Sequence, residues 1–105
     1  MPYSIPLGPG KLLFLSPKDE DGAALSGGSG TVNWFNDDTG DSIAAAVAVT
    51  WNAGLLRYQT VIQDSSVWAR AVGDLWRGEV LIDATTPAAK RYRDELRARV
   101  RAPSS

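Results

Sequence analysis

The chain has 105 residues, a net charge of −1 and an apolar fraction of 44%, the composition of one folded domain with a modest core. It contains no histidine and no cysteine, so the usual nucleophile–base pairs, zinc sites and disulfide bonds are excluded. No apolar run approaches the length of a membrane span, and no signal peptide is recognisable. We therefore expect a protein that is made and folded in a cytoplasm.

The chain begins with a segment rich in proline and glycine, residues 1–10. Its three prolines exclude a helix and a central strand, yet Tyr3, Ile5 and Leu7 alternate as in an extended segment pressed against a surface. Two structures fit this pattern: a frayed terminus that partly covers its own domain, or an arm that docks on a neighbouring subunit. If the arm serves a neighbour, deleting residues 1–9 leaves the fold intact.

Residues 11–101 alternate short apolar runs with turn signals, which is typical of an all-β domain. The runs that we predict as strands are residues 11–16, 31–36, 43–51, 56–63 and 75–83. Residues 23–25 fit a short edge strand, and residues 67–72 fit either a strand or one helical turn. In the third run, alternation at period two predicts one shared face, made of Ile43, Ala45, Val47, Val49 and Trp51.

The last segment of the body, residues 91–101, carries a charge at every odd position and mostly apolar residues at even positions. This alternation favours a strand with one face in water, and only Asp94 interrupts it. A helix also fits, because Tyr92, Leu96 and Val100 repeat at spacing four. Residues 102–105 form a plain polar tail.

The four tryptophans lie on separate segments, at Trp34, Trp51, Trp68 and Trp76. A domain of this size can gather several of them into one core. We predict that Trp76, Val80 and Ile82 are buried together with Trp34 and Val47. The alternative is an exposed pair of tryptophans that forms a patch for a carbohydrate or a partner.

The acidic turns resemble calcium loops only at their start. After Asp19 and Asp21, the positions where such a loop needs its next and last oxygen donors hold alanine and glycine. A looser cation site made of Asp37, Asp38 and Asp41 is the remaining option. The carboxylates are spread over many turns and give no preferred acid–base pair. We therefore assign no catalytic residue, no cofactor and no metal ligand, and we expect a protein that is not an enzyme.

The charges are unevenly distributed along the chain. Residues 90–101 carry six basic and two acidic residues, net +4, and the other residues carry five basic and ten acidic, net −5. A solvated edge strand protected by charge explains this pattern, as does head-to-tail association of copies or docking on an acidic neighbour. Nucleic-acid binding is not expected, because the basic face lacks interleaved aromatic residues. The predicted partner-binding residues are Tyr3, Ile5, Leu7, Arg91, Arg93, Arg97, Arg99 and Arg101.

Several segments together resemble a known family. They are the turn at 18–22, the strand at 31–35, the Asp-Thr-Gly turn at 38–40 and the late strand at 73–83. In this order they are similar to the immunoglobulin-like β-sandwich modules in virion proteins of tailed bacteriophages, found in tails, baseplates and capsid surfaces. The resemblance covers residues 11–101 and rests mostly on turn chemistry. The chain departs from the pattern in having no cysteine pair and in carrying Trp76 where tyrosine is usual.

The resemblance implies an all-β fold, a small immunoglobulin-like antiparallel β-sandwich of about seven strands with an extended N-terminal arm. It implies a non-enzymatic structural protein of a phage or phage-like particle, in the head, neck, tail or capsid surface. The expected location is the virion, after synthesis in the host cytoplasm. The expected partners are other copies of the chain or neighbouring virion proteins in an oligomeric assembly, with no membrane and no nucleic acid. The resemblance transfers no binding residues. The alternative function is a ligand- or carbohydrate-binding β-sandwich module that uses exposed tryptophans.

Overall fold

The computed structural model describes residues 3–86 and 88–102. Within them the chain forms seven strands: β1 (Tyr3–Pro6), β2 (Lys11–Leu15), β3 (Ser29–Asn36), β4 (Ser42–Asn52), β5 (Arg57–Ile62), β6 (Leu75–Ala84) and β7 (Lys90–Arg101). None of the described residues is helical. A helix that could cross a membrane is therefore not found among them. The all-β prediction is confirmed, and so is the strand predicted for 91–101.

All seven strands belong to one hydrogen-bonded sheet with the order β1-β7-β6-β3-β4-β5-β2. Neighbouring strands are antiparallel except β1, which runs parallel to β7. The sheet is therefore mixed, and it is nearly closed into a barrel. The structure confirms the number of strands but not the predicted two-sheet immunoglobulin-like sandwich, because the hydrogen-bonded ladder continues without a break through β4.

The strand β4 is irregular where it pairs with β3. Its residue Ala46 has a φ of 53°, and the Ala46 N–H donates to Asn33 Oδ1 at 2.7 Å. The register between β3 and β4 shifts twice, which marks β-bulges. The strict alternation predicted for residues 43–51 is therefore wrong in the first half of the strand: Ala45 is exposed, whereas Val49 is fully buried.

The core is formed by the inward-facing residues of all seven strands, and Trp34, Trp76 and Tyr58 are its largest fully buried side chains. The predicted burial of Trp76, Val80 and Ile82 with Trp34 is confirmed, whereas Val47 is only partly buried. Gly78 lies directly against the Trp34 ring, and a Cβ at this position would lie 2.7 Å from Trp34 Cζ3. Only glycine therefore lets β6 pass this close to the indole.

The N-terminal segment is part of the chain's own sheet. Its strand β1 pairs with β7 from Tyr3 opposite Ala98 to Pro6 opposite Arg101, and Ile5 is completely buried. Of the two structures that fit the sequence, the one that covers its own domain is observed. The predicted arm at 1–10 thus contains a strand, β1, that belongs to the same sheet as the predicted domain at 11–101. Of the predicted tail at 102–105, Ala102 is exposed and the remainder lies outside the described residues.

The side chain of Arg70 fixes the connection between β1 and β2. Its guanidinium donates to the carbonyl oxygens of Pro6 and Pro9, each at 2.9 Å, and of Gln63 at 2.7 Å. It also lies over the Trp76 ring, 5.7 Å from the centroid. Desolvation by burial lowers the pKa of Arg70 from its ordinary value, but the group stays charged and the carbonyls receive charge-assisted hydrogen bonds.

The structure also shows what two shorter segments form, which the sequence left undecided. Residues 67–72 form a loop between β5 and β6 that begins with a turn, in which the Trp68 N–H donates to the Asp64 carbonyl at 2.9 Å. They are therefore neither a strand nor a helix. Residues 23–25 do not form a named strand, although Ala24 makes an isolated bridge with Lys18.

Candidate partner-binding surface

The charged side chains of β7 cover the outer face of the sheet formed by β3, β6 and β7. The odd-numbered residues of β7 are all exposed, whereas Leu96, Ala98 and Val100 are buried. This is the arrangement that the alternation predicts. We call the five arginines of this face the arginine row, made of Arg91, Arg93, Arg97, Arg99 and Arg101.

Two members of the arginine row are paired with carboxylates of their own chain. Arg91 Nε lies 2.9 Å from Asp83 Oδ1. Arg97 contacts Glu95, and its Nε lies 3.5 Å from Asp37 Oδ2. Exposed pairs of this kind contribute only about 0–1 kcal/mol each, so they set side-chain positions more than they stabilise the fold.

The other three members of the row have no such partner within residues 3–86 and 88–102. Among the described residues, no carboxylate forms an ion pair with Arg93, Arg99 or Arg101. Arg99 Nη1 lies 3.4 Å from the Gly73 carbonyl oxygen, which leaves its charge uncompensated. These three guanidinium groups are therefore the positive charges of the row that remain for a partner.

The acidic turns are held in shape by their own side chains. Asp19 Oδ1 accepts the N–H groups of Asp21 and Ala23, at 2.9 and 2.8 Å. Glu20 forms an ion pair with Lys90 at 2.5 Å, and this hydrogen bond raises the pKa of Lys90. Part of the charge of the acidic turns is thus already paired with β7 within one chain.

The proposed cation site at 37–41 is not assembled. Asp37 faces Arg77 at 3.6 Å and Arg97 at 3.5 Å, while Asp41 accepts a hydrogen bond from the Thr39 hydroxyl at 3.1 Å. Among the described residues, no three potential ligands of the His, Cys, Asp and Glu types lie close enough to share a metal ion.

The three predicted partner-binding residues of the arm point away from the arginine row. Ile5 is completely buried, and Tyr3 and Leu7 are partly buried against the same core. Because β1 and β7 pair side by side, their inward residues share one face and the arginines occupy the other. The Ile5 side chain, which was predicted to contact a partner, packs inside its own domain in this structure.

A second outer face has a different character. Leu12 and Val61 lie opposite each other on β2 and β5, and both are exposed, by 47% and 43%. Lys11 and Arg57 are the only charged residues of these two strands, so this face carries less charge than the face of β7. Where exposed apolar side chains form a contiguous patch, they mark a contact point for another protein.

A groove that was not predicted from the sequence lies beside β7. One cavity of about 180 Å³ and another of about 220 Å³ lie along this strand, and both are lined by Tyr92. Asp94 also lines the first cavity, where it accepts hydrogen bonds from the Tyr92 hydroxyl at 2.9 Å and the Glu95 N–H at 2.8 Å. Burial, then the hydrogen bond to Asp94, raises the pKa of Tyr92 to about 12. The sequence signal for this groove is Asp94 itself, the one residue that interrupts the alternation.

The tryptophans do not form an exposed platform. Trp34 and Trp76 are fully buried, with ring centroids 6.0 Å apart. Trp51 packs edge-on against Tyr58 at 4.9 Å, and Trp68 tilts against Trp76 at 6.4 Å. Both of these outer tryptophans are partly buried against the core.

Comparison with known proteins gives no relative for this chain: no family model, no curated protein and no solved structure matches it.

Proposed function

We propose that the protein is a non-enzymatic structural component of a phage or phage-like particle, located in the virion. It would assemble there through contacts with copies of itself or with neighbouring virion proteins. The observation that carries this proposal is the division of the surface into an arginine row on one outer face and an exposed apolar pair, Leu12 and Val61, on another. A molecule with two such faces is suited to making different contacts on two sides.

The strand order supports the immunoglobulin-like part of the proposal. In such sandwiches, strands B, E and D lie in one sheet and strands C, F and G in the other. If β2 to β7 are taken in chain order as B to G, the observed order contains β2-β5-β4 and β3-β6-β7. The long strand β4 joins the two groups because it pairs with both β3 and β5. The buried Trp34 on β3 corresponds to the buried tryptophan that is usual on strand C.

The proposed contact combines orientation by charge with apolar burial. Arg93, Arg99 and Arg101 would meet acidic side chains of a neighbour, each pair contributing about 0.2–1 kcal/mol. This is enough to select an orientation and too little to hold two chains together. Because the arm is occupied in its own domain, the exposed Leu12 and Val61 replace it as the apolar contact.

Replacing Arg93, Arg99 and Arg101 together with serine should reduce self-association or incorporation into particles, with little effect on folding. The matched control replaces Arg91 and Arg97 with serine, since the charges of these two are already paired within the chain. Sedimentation equilibrium at low and high salt measures the effect, and salt should weaken association of the wild type more than of the triple variant. Equal association of the triple variant and the wild type at low salt would contradict the charged contact.

The alternative function, a ligand- or carbohydrate-binding module, requires a tryptophan that a ligand can reach. Because two tryptophans are fully buried and the other two partly buried, acrylamide should quench the native fluorescence only slightly compared with the unfolded chain. Trp68→Phe and Trp51→Phe variants assign any quenching to one of the two outer side chains. Strong quenching of the native protein, reversed by a soluble oligosaccharide, would support the alternative instead.

A further inference from the structure

Eight of the twelve residues of β7 lack a neighbouring strand on one side within the described part of the chain. The strand runs from Lys90 to Arg101, but β1 pairs only with its last four residues, from Ala98 onward. Among residues 3–86 and 88–102, the part of β7 before Ala98 is paired with β6 alone. This unpaired length, about 25 Å at the usual rise per residue, is an open edge of the sheet.

The hydrogen bonds at the end of β7 show which backbone N–H and C=O groups are directed toward the open edge. The Leu7 N–H donates to the Arg101 carbonyl at 2.9 Å, whereas Val100 exchanges hydrogen bonds with Gly73 and Asp74 on the β6 side. The direction of the backbone groups alternates along a strand. The N–H and C=O groups of Arg91, Arg93 and Glu95 therefore point toward the open edge.

The groove beside this edge is lined by buried apolar side chains and by charged side chains of both signs. The first of its two cavities is lined by Leu15, Val80 and Leu96, together with Tyr3 and Tyr92. The second continues past Tyr92. It is lined by four basic residues and two acidic ones, namely Lys18, Lys90, Arg91, Arg93, Asp19 and Glu20. A strand laid beside β7 would point every second side chain onto the apolar lining and the others outward, next to the arginine row.

We propose that the open edge of β7 binds an extended peptide strand of another protein, with apolar and acidic residues in alternation. The proposal rests on the assembly role proposed above, since it names the chemistry of a partner in that assembly. The apolar residues would cover Leu15, Val80 and Leu96, and the acidic residues would meet Arg93, which has no carboxylate partner among the described residues. Backbone hydrogen bonds to the edge would supply affinity, as in other cases of strand addition.

Charge argues against a second copy of β7 as the occupant. Pairing two such edges would align two rows of arginines, and like charges on facing strands are destabilising. An acidic strand instead places carboxylates beside Arg91, Arg93 and Arg97, and Glu95 is the one like charge on this outward face of the edge.

Asp94 hinders the pairing of another strand with the open edge. Its carboxylate accepts the Glu95 N–H at 2.8 Å, so it occupies one of the donors that a peptide strand would use. Charged side chains at an open edge are a common protection against unwanted pairing. Binding of the peptide must displace this carboxylate from the Glu95 N–H.

The test uses a fluorescein-labelled peptide of eight residues with glutamate and valine in alternation, titrated into the full chain and followed by anisotropy. The Arg93→Pro variant removes one edge N–H that the β6 ladder does not use, and proline is tolerated at such positions. It should weaken binding about tenfold, the effect of one hydrogen bond. The matched Arg93→Ala variant, which keeps the N–H, separates the loss of charge from the loss of the donor. Asp94→Ala should strengthen binding, because it frees the Glu95 N–H.

Two further probes do not depend on the folding of any variant. A peptide with N-methyl groups on alternate residues, facing β7, should not bind, and a peptide with lysine in place of glutamate should bind at least about tenfold more weakly. Amide chemical shifts of the wild type should change along residues 91–95 and not on β5. No binding of the glutamate peptide, or equal binding of the N-methylated or lysine peptide, overturns the proposal. If the glutamate peptide does not bind but the protein is incorporated into particles normally, only the peptide-binding proposal is wrong. If the peptide binds but the protein is not incorporated, only the assembly role is wrong.

Discussion

The variant Trp76→Ala is expected to lose about 3–5 kcal/mol of unfolding free energy, the usual cost of emptying a large buried aromatic site. Trp76 is fully buried on β6, where its ring contacts the rings of Trp34 and Trp68. It also carries the guanidinium of Arg70 over its face, so its loss would loosen the connection between β1 and β2 as well. Because a domain has only about 5–15 kcal/mol in total, the midpoint of urea unfolding, followed by circular dichroism, should fall sharply.

Trp68→Ala is the matched control for this variant. Trp68 packs against the same ring but is only partly buried and lies in a loop, so its removal should cost clearly less. Trp76→Phe should lie between the two, because it keeps an aromatic contact with Trp34 and leaves a smaller void. If Trp76→Ala unfolds at the same urea concentration as Trp68→Ala, the packing of the core around Trp76 is not as described.

The strands of the charged face could be predicted because water lies on one side of them and the core on the other. In residues 91–101 this boundary requires charged and apolar residues to alternate. The alternation favoured a strand over a helix, and the structure has a strand there. The order of the strands in the sheet carries no comparable signal. It depends on pairings such as β1 with β7, between residues that lie more than 90 positions apart.

The errors have a common physical origin in contacts between distant segments. The bulge in β4 depends on a hydrogen bond from Ala46 to Asn33 on another strand. The loop at 67–72 takes its shape around Arg70, whose acceptors Pro6 and Pro9 lie about 60 residues earlier in the chain. A segment shows the same alternation whether its apolar face packs on its own domain or on a neighbouring subunit. The alternation of Tyr3, Ile5 and Leu7 therefore could not predict which of the two the N-terminal segment contacts.

The part of the candidate site that depends on alternation within one strand was predictable, and the part that depends on contacts between strands was not. Exposure of the arginine row follows from alternation alone, whereas the pairing of Arg97 with Asp37 requires β7 and the turn after β3 to meet. The groove was marked by Asp94, but an acidic residue at an inward position is informative only once the open edge of β7 is known.

Deleting residues 1–7 should destabilise the domain, contrary to the expectation that removal of the arm leaves the fold intact. The deletion removes β1 and with it the fully buried Ile5, whose burial alone contributes about 1.5–3 kcal/mol. It also leaves the last four residues of β7 unpaired and takes the Pro6 carbonyl from Arg70. Urea unfolding measures the loss of stability, and hydrogen exchange should show that amides at the end of β7 lose protection.

Point variants separate the buried contact from the mere shortening of the chain. Ile5→Ala should cost about 2–5 kcal/mol, the usual range for truncating a buried isoleucine. Ser4→Ala is its control, because Ser4 is only partly buried and its carbonyl, which accepts Lys11 Nζ at 2.6 Å, is kept; it should cost much less. A shortened chain that unfolds at the wild-type urea concentration would mean that β1 detaches freely. The arm would then be available to a neighbouring subunit after all, and its alternating Tyr3, Ile5 and Leu7 would regain their predicted role as an apolar contact.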